Sequence, residues 1–226
     1  MSLFDAQDIT ISHRRDGQPL RLIEHACLTL EAGSIYDLTG PSGCGKSTLL
    51  RGLARLIDLD SGTMLLEGTP HTSFSPVQWR VQVCLVPQKP SLVPGTVQDN
   101  LLLPWSLKVR SNQTAPHEAA LRQMLDQAAL EDVELDRDVS QLSGGQAARI
   151  ALVRAFLTDA RVLLLDEVDA ALDEASSHAV SLLTRQVVGQ DRACLRIRHR
   201  QPDGLARGVF AIAEGALTHS TLRQEI

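Results

Sequence analysis

Three short stretches of this 226-residue sequence hold residue types whose spacing can do chemistry. The first is Gly40-Pro41-Ser42-Gly43-Cys44-Gly45-Lys46-Ser47-Thr48, which fits G-x-x-x-x-G-K-[ST] between a strand pattern and a helix pattern. Glycines there let backbone N–H groups turn toward a phosphate chain, and the helix N-terminus adds partial positive charge. Lys46 then reaches the outer phosphates and Ser47 offers a hydroxyl to Mg²⁺. The alternative, a glycine-rich turn that happens to hold a lysine, does not account for the flanking strand and helix. The second stretch is Arg161-Val162-Leu163-Leu164-Leu165-Asp166-Glu167. It reads as a buried parallel strand ending in two carboxylates, at the strand end where α/β folds place ligands. Asp166 suits a Mg²⁺ shell, and Glu167 points elsewhere and can polarise an attacking water. Alone, the same letters also describe a strand end with a solvated acidic turn. The third stretch, Leu142-Ser143-Gly144-Gly145-Gln146, is a pentapeptide expected by chance in well under about 0.1% of chains this long. Ser143, Gly144, Gly145 and Gln146 open a helix and make a second anion-binding end. Two such ends suit a dimer in which Gly40–Thr48 of one copy and Ser143–Gln146 of the other clamp one phosphate.

The elements that must hold these residues follow from periodicity. Asp8–Ser12 and Ala26–Leu30 alternate and predict antiparallel strands; Ile35–Leu38, Thr63–Glu67 and Val81–Val86 predict further strands. Leu49, Leu50, Leu53, Leu56 and Ile57 recur at helical spacing, so a helix is expected over Lys46–Ile57. The middle of the chain changes character, with helices expected over Thr96–Arg110, over Pro116–Leu130 and from Ser143 to about Leu157. Strands return at Val162–Leu165, Ala193–Ile197 and Val209–Ala213, with a helix over Glu174–Val188. Strand–helix alternation around an all-helical middle predicts an α/β core, residues 1–90 and 158–226, interrupted by a helical subdomain over 91–157.

Composition excludes several classes. At 43% hydrophobic and 22% charged the chain has a globular balance, and no run approaches a membrane span. Met1–Asp5 lacks the basic and apolar regions of a secretory signal, which predicts a cytosolic chain. A net charge of −5 argues against nucleic acid as a partner. Cys27, Cys44, Cys84 and Cys194 form no CxxC pair and are expected as small core residues. The seven histidines show no metal-ligand spacing.

With these motifs in this order, the whole chain resembles the nucleotide-binding domain of ATP-binding cassette (ABC) proteins. The resemblance implies a P-loop NTPase core with an N-terminal antiparallel β subdomain and an inserted helical subdomain. It implies ATP and Mg²⁺ as ligands and a head-to-tail homodimer. Gln88, after Val86-Pro87, matches the family's Q-loop, which links the metal site to a membrane partner; Ala171-Leu172-Asp173 matches the D-loop; His199 sits at the switch histidine. The implied catalytic set is Glu167, His199, Lys46 and Gln88, with Ser47, Gln88 and Asp166 toward the metal. Gly95–Trp105 resembles more narrowly the ATP-binding subunit of Fet-type bacterial transporters, assigned to iron export. That implies a separate integral membrane subunit and a place on the cytoplasmic face of the cell membrane. A soluble ABC ATPase without transport, such as an iron–sulfur assembly scaffold subunit, stands as the alternative, and a regulatory subunit with degraded catalysis as a third reading. The family pattern is departed from in four places, one of them Ala147-Ala148-Arg149, which stands where a Gln-rich continuation usually follows the signature. No aromatic stands near the first strand to stack on adenine, leaving His13 or Arg14. Val168-Asp169-Ala170 replaces the usual Pro-Thr-Ser, and Arg196-Ile197-Arg198-His199-Arg200 replaces an apolar strand with Thr-His. Arg196 and Arg198 share one face and read as a solvated strand end, as partners for acids, or as extra phosphate contacts. Trp105, just past the Q-loop, reads either as an anchor for the membrane subunit or as a closure of the helical subdomain's own core.

Overall fold

The computed structural model describes residues 2–15, 18–89, 91–198 and 200–222, with the side chains of 13–15 and 18–20 left out. Two sheets organise the fold. Strands β1 (Ser2–Arg15), β2 (Gln18–Glu31), β4 (Ser61–Leu66) and β5 (Thr69–Pro70) pair antiparallel in the order β2-β1-β4-β5. The larger sheet has the order β10-β9-β3-β8-β7-β6. Its members are β3 (Ser34–Thr39), β6 (Val83–Val86), β7 (Val162–Asp166), β8 (Ala193–Ile197), β9 (Ala206–Ala213) and β10 (Ala216–Thr221). All its neighbours run parallel except β10 against β9. The carboxyl ends of β3, β6, β7 and β8 therefore lie along one edge, and every motif of the first, second and Q-loop stretches leaves from that edge.

Strand periodicity divides the core in two. Leu38, Leu164, Leu195 and Ile197 face one apolar cluster together with helix α1 (Lys46–Leu53), Trp79 and the inner face of the antiparallel sheet. Ile35, Leu163, Leu165 and Cys194 face the other, built with α3 (Val97–Leu102), α4 (Glu118–Gln127), α5 (Gly144–Phe156) and α6 (Glu174–Val188). Burial on both faces explains why β7 reads as an unbroken aliphatic run.

Several elements differ from the sequence expectation, each for a local reason. The helix expected to reach Ile57 stops at Leu53, because Arg55 turns left-handed at φ 54°. Its N–H bonds Gly52 O at 2.9 Å and that of Leu56 bonds Arg51 O at 2.9 Å, a Schellman closure. The start expected at Val81 is a helix, α2 (Pro76–Gln82), nucleated by a reciprocal capping box between Ser75 and Gln78. The helix expected over Thr96–Arg110 is only α3, followed by 3₁₀ turns at Leu103–Ser106 and Lys108–Arg110, with Pro104 denying the ladder its N–H. Cys27 is exposed rather than core, since it alternates on β2 with buried Ala26 and Leu28. Among the described residues no helix is long and apolar enough to cross a membrane.

Candidate functional site: a phosphate cradle at the strand ends

The glycine loop joins β3 to α1 by steep turns. Gly40 has φ 145°, and a Cβ there would lie 2.6 Å from Ile212 O and 2.8 Å from Cys44 Sγ, so no side chain fits. Gly45 caps α1 at φ 102° without a side-chain bond, leaving the first N–H groups of α1 to face an anion. Lys46 is 6% exposed, and its Nζ donates to Gly40 O at 2.8 Å and Pro41 O at 2.9 Å. The ammonium is thus already aimed across the loop that carries Pro41, Ser42, Gly43 and Cys44.

Strand β7 delivers the acids beside this loop. Ser47 Oγ donates to Asp166 Oδ1 at 2.9 Å, so the two oxygen donors expected around a cation are adjacent. Burial pushes the Asp166 carboxyl above its ordinary range; the Ser47 bond opposes that shift and the neighbouring Glu167 charge adds to it. A desolvated carboxylate next to a hydroxyl, both oxygen donors at the rim of a phosphate cradle, fits Mg²⁺. Among the described residues no group of three or more His, Cys, Asp or Glu could hold a metal alone. The carboxylate's burial also has a cost without a cation. Asp166→Asn is expected to raise the melting temperature of the nucleotide-free chain by about 2–4 °C. It should also abolish the extra stabilisation that Mg²⁺ adds to ATP in a thermal-shift titration.

Glu167 breaks from the strand in a left-handed conformation at φ 50°, a strained backbone for a non-glycine residue. Its N–H bonds Ile197 O at 3.2 Å, and its Oε2 accepts from Gln88 Nε2 at 2.7 Å. Gln88 therefore meets Glu167, and Ser47 meets Asp166: four predicted residues from β6, β7 and α1 come together as two bonded pairs. His199 and the side chain of His13 lie outside the described residues.

Ser143–Gln146 sits apart, at the head of α5. Ser143 Oγ accepts from Gln146 N at 3.2 Å and Gln146 Oε1 accepts from Ser143 N at 3.0 Å, a capping box that sequence reading did not assign. None of the described hydrogen bonds joins this segment to Gly40–Thr48. Gly145 packs on the D-loop instead, where a Cβ would lie 3.5 Å from Leu172 Cδ2.

Sequence reading missed the acids that meet the arginines. Arg196 is 4% exposed, so the solvated strand end is incorrect: its guanidinium bonds Asp37 and Asp203, and Arg198 bonds Asp169. Asp37 did carry a signal, as one charge in an otherwise apolar strand. A half-open groove of about 440 Å³ lies beyond Gln88, lined by Val77, Leu85, Pro87, Leu103, Pro104 and Leu107 among others. Trp105 stands beside it, half-buried under the Arg110 guanidinium at 6.0 Å.

Residues 23–170 match the family model described as ABC transporter. The chain is 40% identical over 180 residues to the "Probable iron export ATP-binding protein FetA" of Escherichia coli (strain K12), covering 79% of this chain and 78% of that one. It is 37% identical over 188 residues to the "ABC-type transporter atr1" of Mycosarcoma maydis, covering 79% of this chain and 13% of that much longer one. Its fold matches the dimeric post-hydrolysis structure of the ATP-binding cassette MJ0796 bound to ADP and Pi, with a TM-score of 0.84 at 21% identity over 97% of this chain and 99% of that one. A P-loop with its lysine poised, paired carboxylates at the adjacent strand end and these matches place the chain in the ABC transporter family, as an ATP-binding, ATP-hydrolysing component.

Proposed function

We propose that the chain pairs head-to-tail with a second copy around two ATP and powers a separate membrane subunit, at the cytoplasmic face of the cell membrane. The loop Gly40–Thr48 and the N-terminus of α1 hold the phosphates, and Lys46 spans the outer two. Ser47 Oγ, Asp166 and the amide oxygen of Gln88 would hold Mg²⁺, which would supply Lewis-acid stabilisation of the phosphate charge. Glu167 takes the proton of the water that attacks the γ-phosphorus; the new O–P bond forms as the bond to the ADP oxygen breaks. By the family resemblance His199 is the residue we assign to the γ-phosphate, and Ser143, Gly144, Gly145 and Gln146 of the second copy are assigned to close over it. His13 or Arg14 is the residue we assign to the adenine. Iron is the solute we assign, on the 40% identity to FetA.

The observation that carries the transport reading is the Gln88–Glu167 bond of 2.7 Å. Pro87 lines the apolar groove and Gln88 is the next residue, so the groove and the water-polarising carboxylate are one residue and one hydrogen bond apart. Val77 and Leu107 at that groove are 51% and 53% exposed, a setting that suits an apolar helix of the membrane subunit. Leu107→Asp combined with Val77→Asp is expected to leave hydrolysis by the purified chain within about twofold while weakening co-purification of the membrane subunit by about tenfold or more. Undiminished co-purification would place docking elsewhere.

A further inference from the structure

Two of the segments whose residues depart from the family pattern, Val168–Ala170 and Arg196–Arg200, meet in the structure through Arg198 and Arg200. Arg198 is 9% exposed in its side chain and Asp169 6%, and Arg198 Nε donates to Asp169 Oδ2 at 2.9 Å. The same guanidinium places its Nη1 2.5 Å from Asp203 Oδ2, an ion pair without hydrogen-bond geometry. Asp203 Oδ1 accepts from Arg196 Nη2 at 2.7 Å, and Arg196 Nε donates to Asp37 Oδ1 at 2.7 Å. Asp37 and Arg196 are register partners on adjacent parallel strands. The side chains thus alternate Asp37–Arg196–Asp203–Arg198–Asp169, running from the strand that feeds the phosphate loop to the turn that carries Glu167. Arg200 extends the contact, with Nε on Asp169 O at 3.3 Å and Nη2 on Leu172 O.

We propose that Arg198 is a positioning residue for ATP hydrolysis, holding the Glu167 turn to the β3–β8 edge by bridging Asp169 and Asp203. Asp169 follows Glu167 by two residues and Asp37 precedes Gly40 by three, so the chain of ion pairs sets the carboxylate's place relative to the cradle. Buried charges cost several kcal/mol each unless well paired, so the use of this row lies in fixed geometry rather than in net stability. Although burial pushes Asp203 up, its bonds to Arg196 and the charge of Arg198 hold it down at about 2, which keeps the row intact through neutral pH. Leu172 carries the same tie to α5, because it packs against Gly145. The segment that meets the second copy and the turn that activates water are therefore braced by one guanidinium pair, Arg198 and Arg200.

This inference rests on the hydrolysis reading, and steady-state kinetics separate the two. Arg198→Lys keeps the charge and loses the bridge, since one ammonium lacks the planar fork that spans two carboxylates. Asp203→Asn removes the bridge from the other side, at a partly exposed position, and keeps an acceptor for Leu205 N. Each is expected to lower kcat about tenfold while KM for ATP stays within about twofold, and to lower the melting temperature by several degrees while the chain stays folded at the assay temperature. Double substitution Asp169→Asn with Arg198→Lys should fall no further than the single, because the two act through each other. The inference is overturned if both Arg198→Lys and Asp203→Asn keep at least half the parental kcat, or if KM for ATP rises in step with the loss of kcat. An unsubstituted chain with no Glu167-dependent hydrolysis would instead overturn the underlying reading.

Discussion

Glu167→Gln is expected to bind ATP as the parent chain does and to hydrolyse it about 10²–10⁴-fold more slowly. The amide matches the carboxylate in shape and still offers Gln88 Nε2 an acceptor in place of the 2.7 Å bond. It cannot take a proton from water. The left-handed backbone at φ 50° and the N–H bond to Ile197 O belong to the main chain and survive the change. The loss should therefore fall on kcat with KM held, and phosphate release under saturating ATP measures it directly. Because closure would then outlast hydrolysis, the substituted chain should run as a dimer with ATP and as a monomer without it. A residual rate within about tenfold of the parent would assign the water to another base.

Lys46→Ala is expected to weaken ATP binding by about 100-fold or more. An ammonium makes charge-assisted bonds of about 1.5–3 kcal/mol each, and losing two to phosphate oxygens gives that ratio. The site offers no substitute, since Lys46 is 6% exposed and its Nζ lies on both Gly40 O and Pro41 O. The same bonds pin the loop, so the substituted loop holds its N–H groups less well oriented, which adds to the loss. Fluorescent-nucleotide titration reads the effect, and an affinity within about threefold of the parent would contradict the role.

Much of the site was legible because its residues are consecutive. The glycine loop needs no tertiary information to be recognised, and β7 announces itself by four aliphatic residues before Asp166. Helix α6 begins and ends where its pattern does, since Asp173 caps it by accepting from Ser176 N and Gly189 follows Val188. What escaped depended on partners distant in sequence or on short-range stops. Arg196 looked solvated until Asp37 and Asp203 were seen to flank it. The end of α1 turned on Arg55 adopting φ 54°, with its guanidinium bound to His71 O and Phe74 O, and no local pattern marks that. Helix α2 was signalled by Ser75-Pro76-Val77-Gln78, but its seven residues are too few to show a helical period. Pro104 was visible inside the expected helix and should have divided it.

On our proposal, hydrolysis in this chain drives a separate membrane subunit. The most direct test is to recover tagged Glu167→Gln protein from its native host, with ATP and mild detergent, and to identify what co-purifies. We expect one small, multi-span membrane protein in equal amount, held at the groove beside Leu107. Recovery of soluble assembly factors alone would contradict it and make the chain a non-transport ATPase of the iron–sulfur scaffold kind.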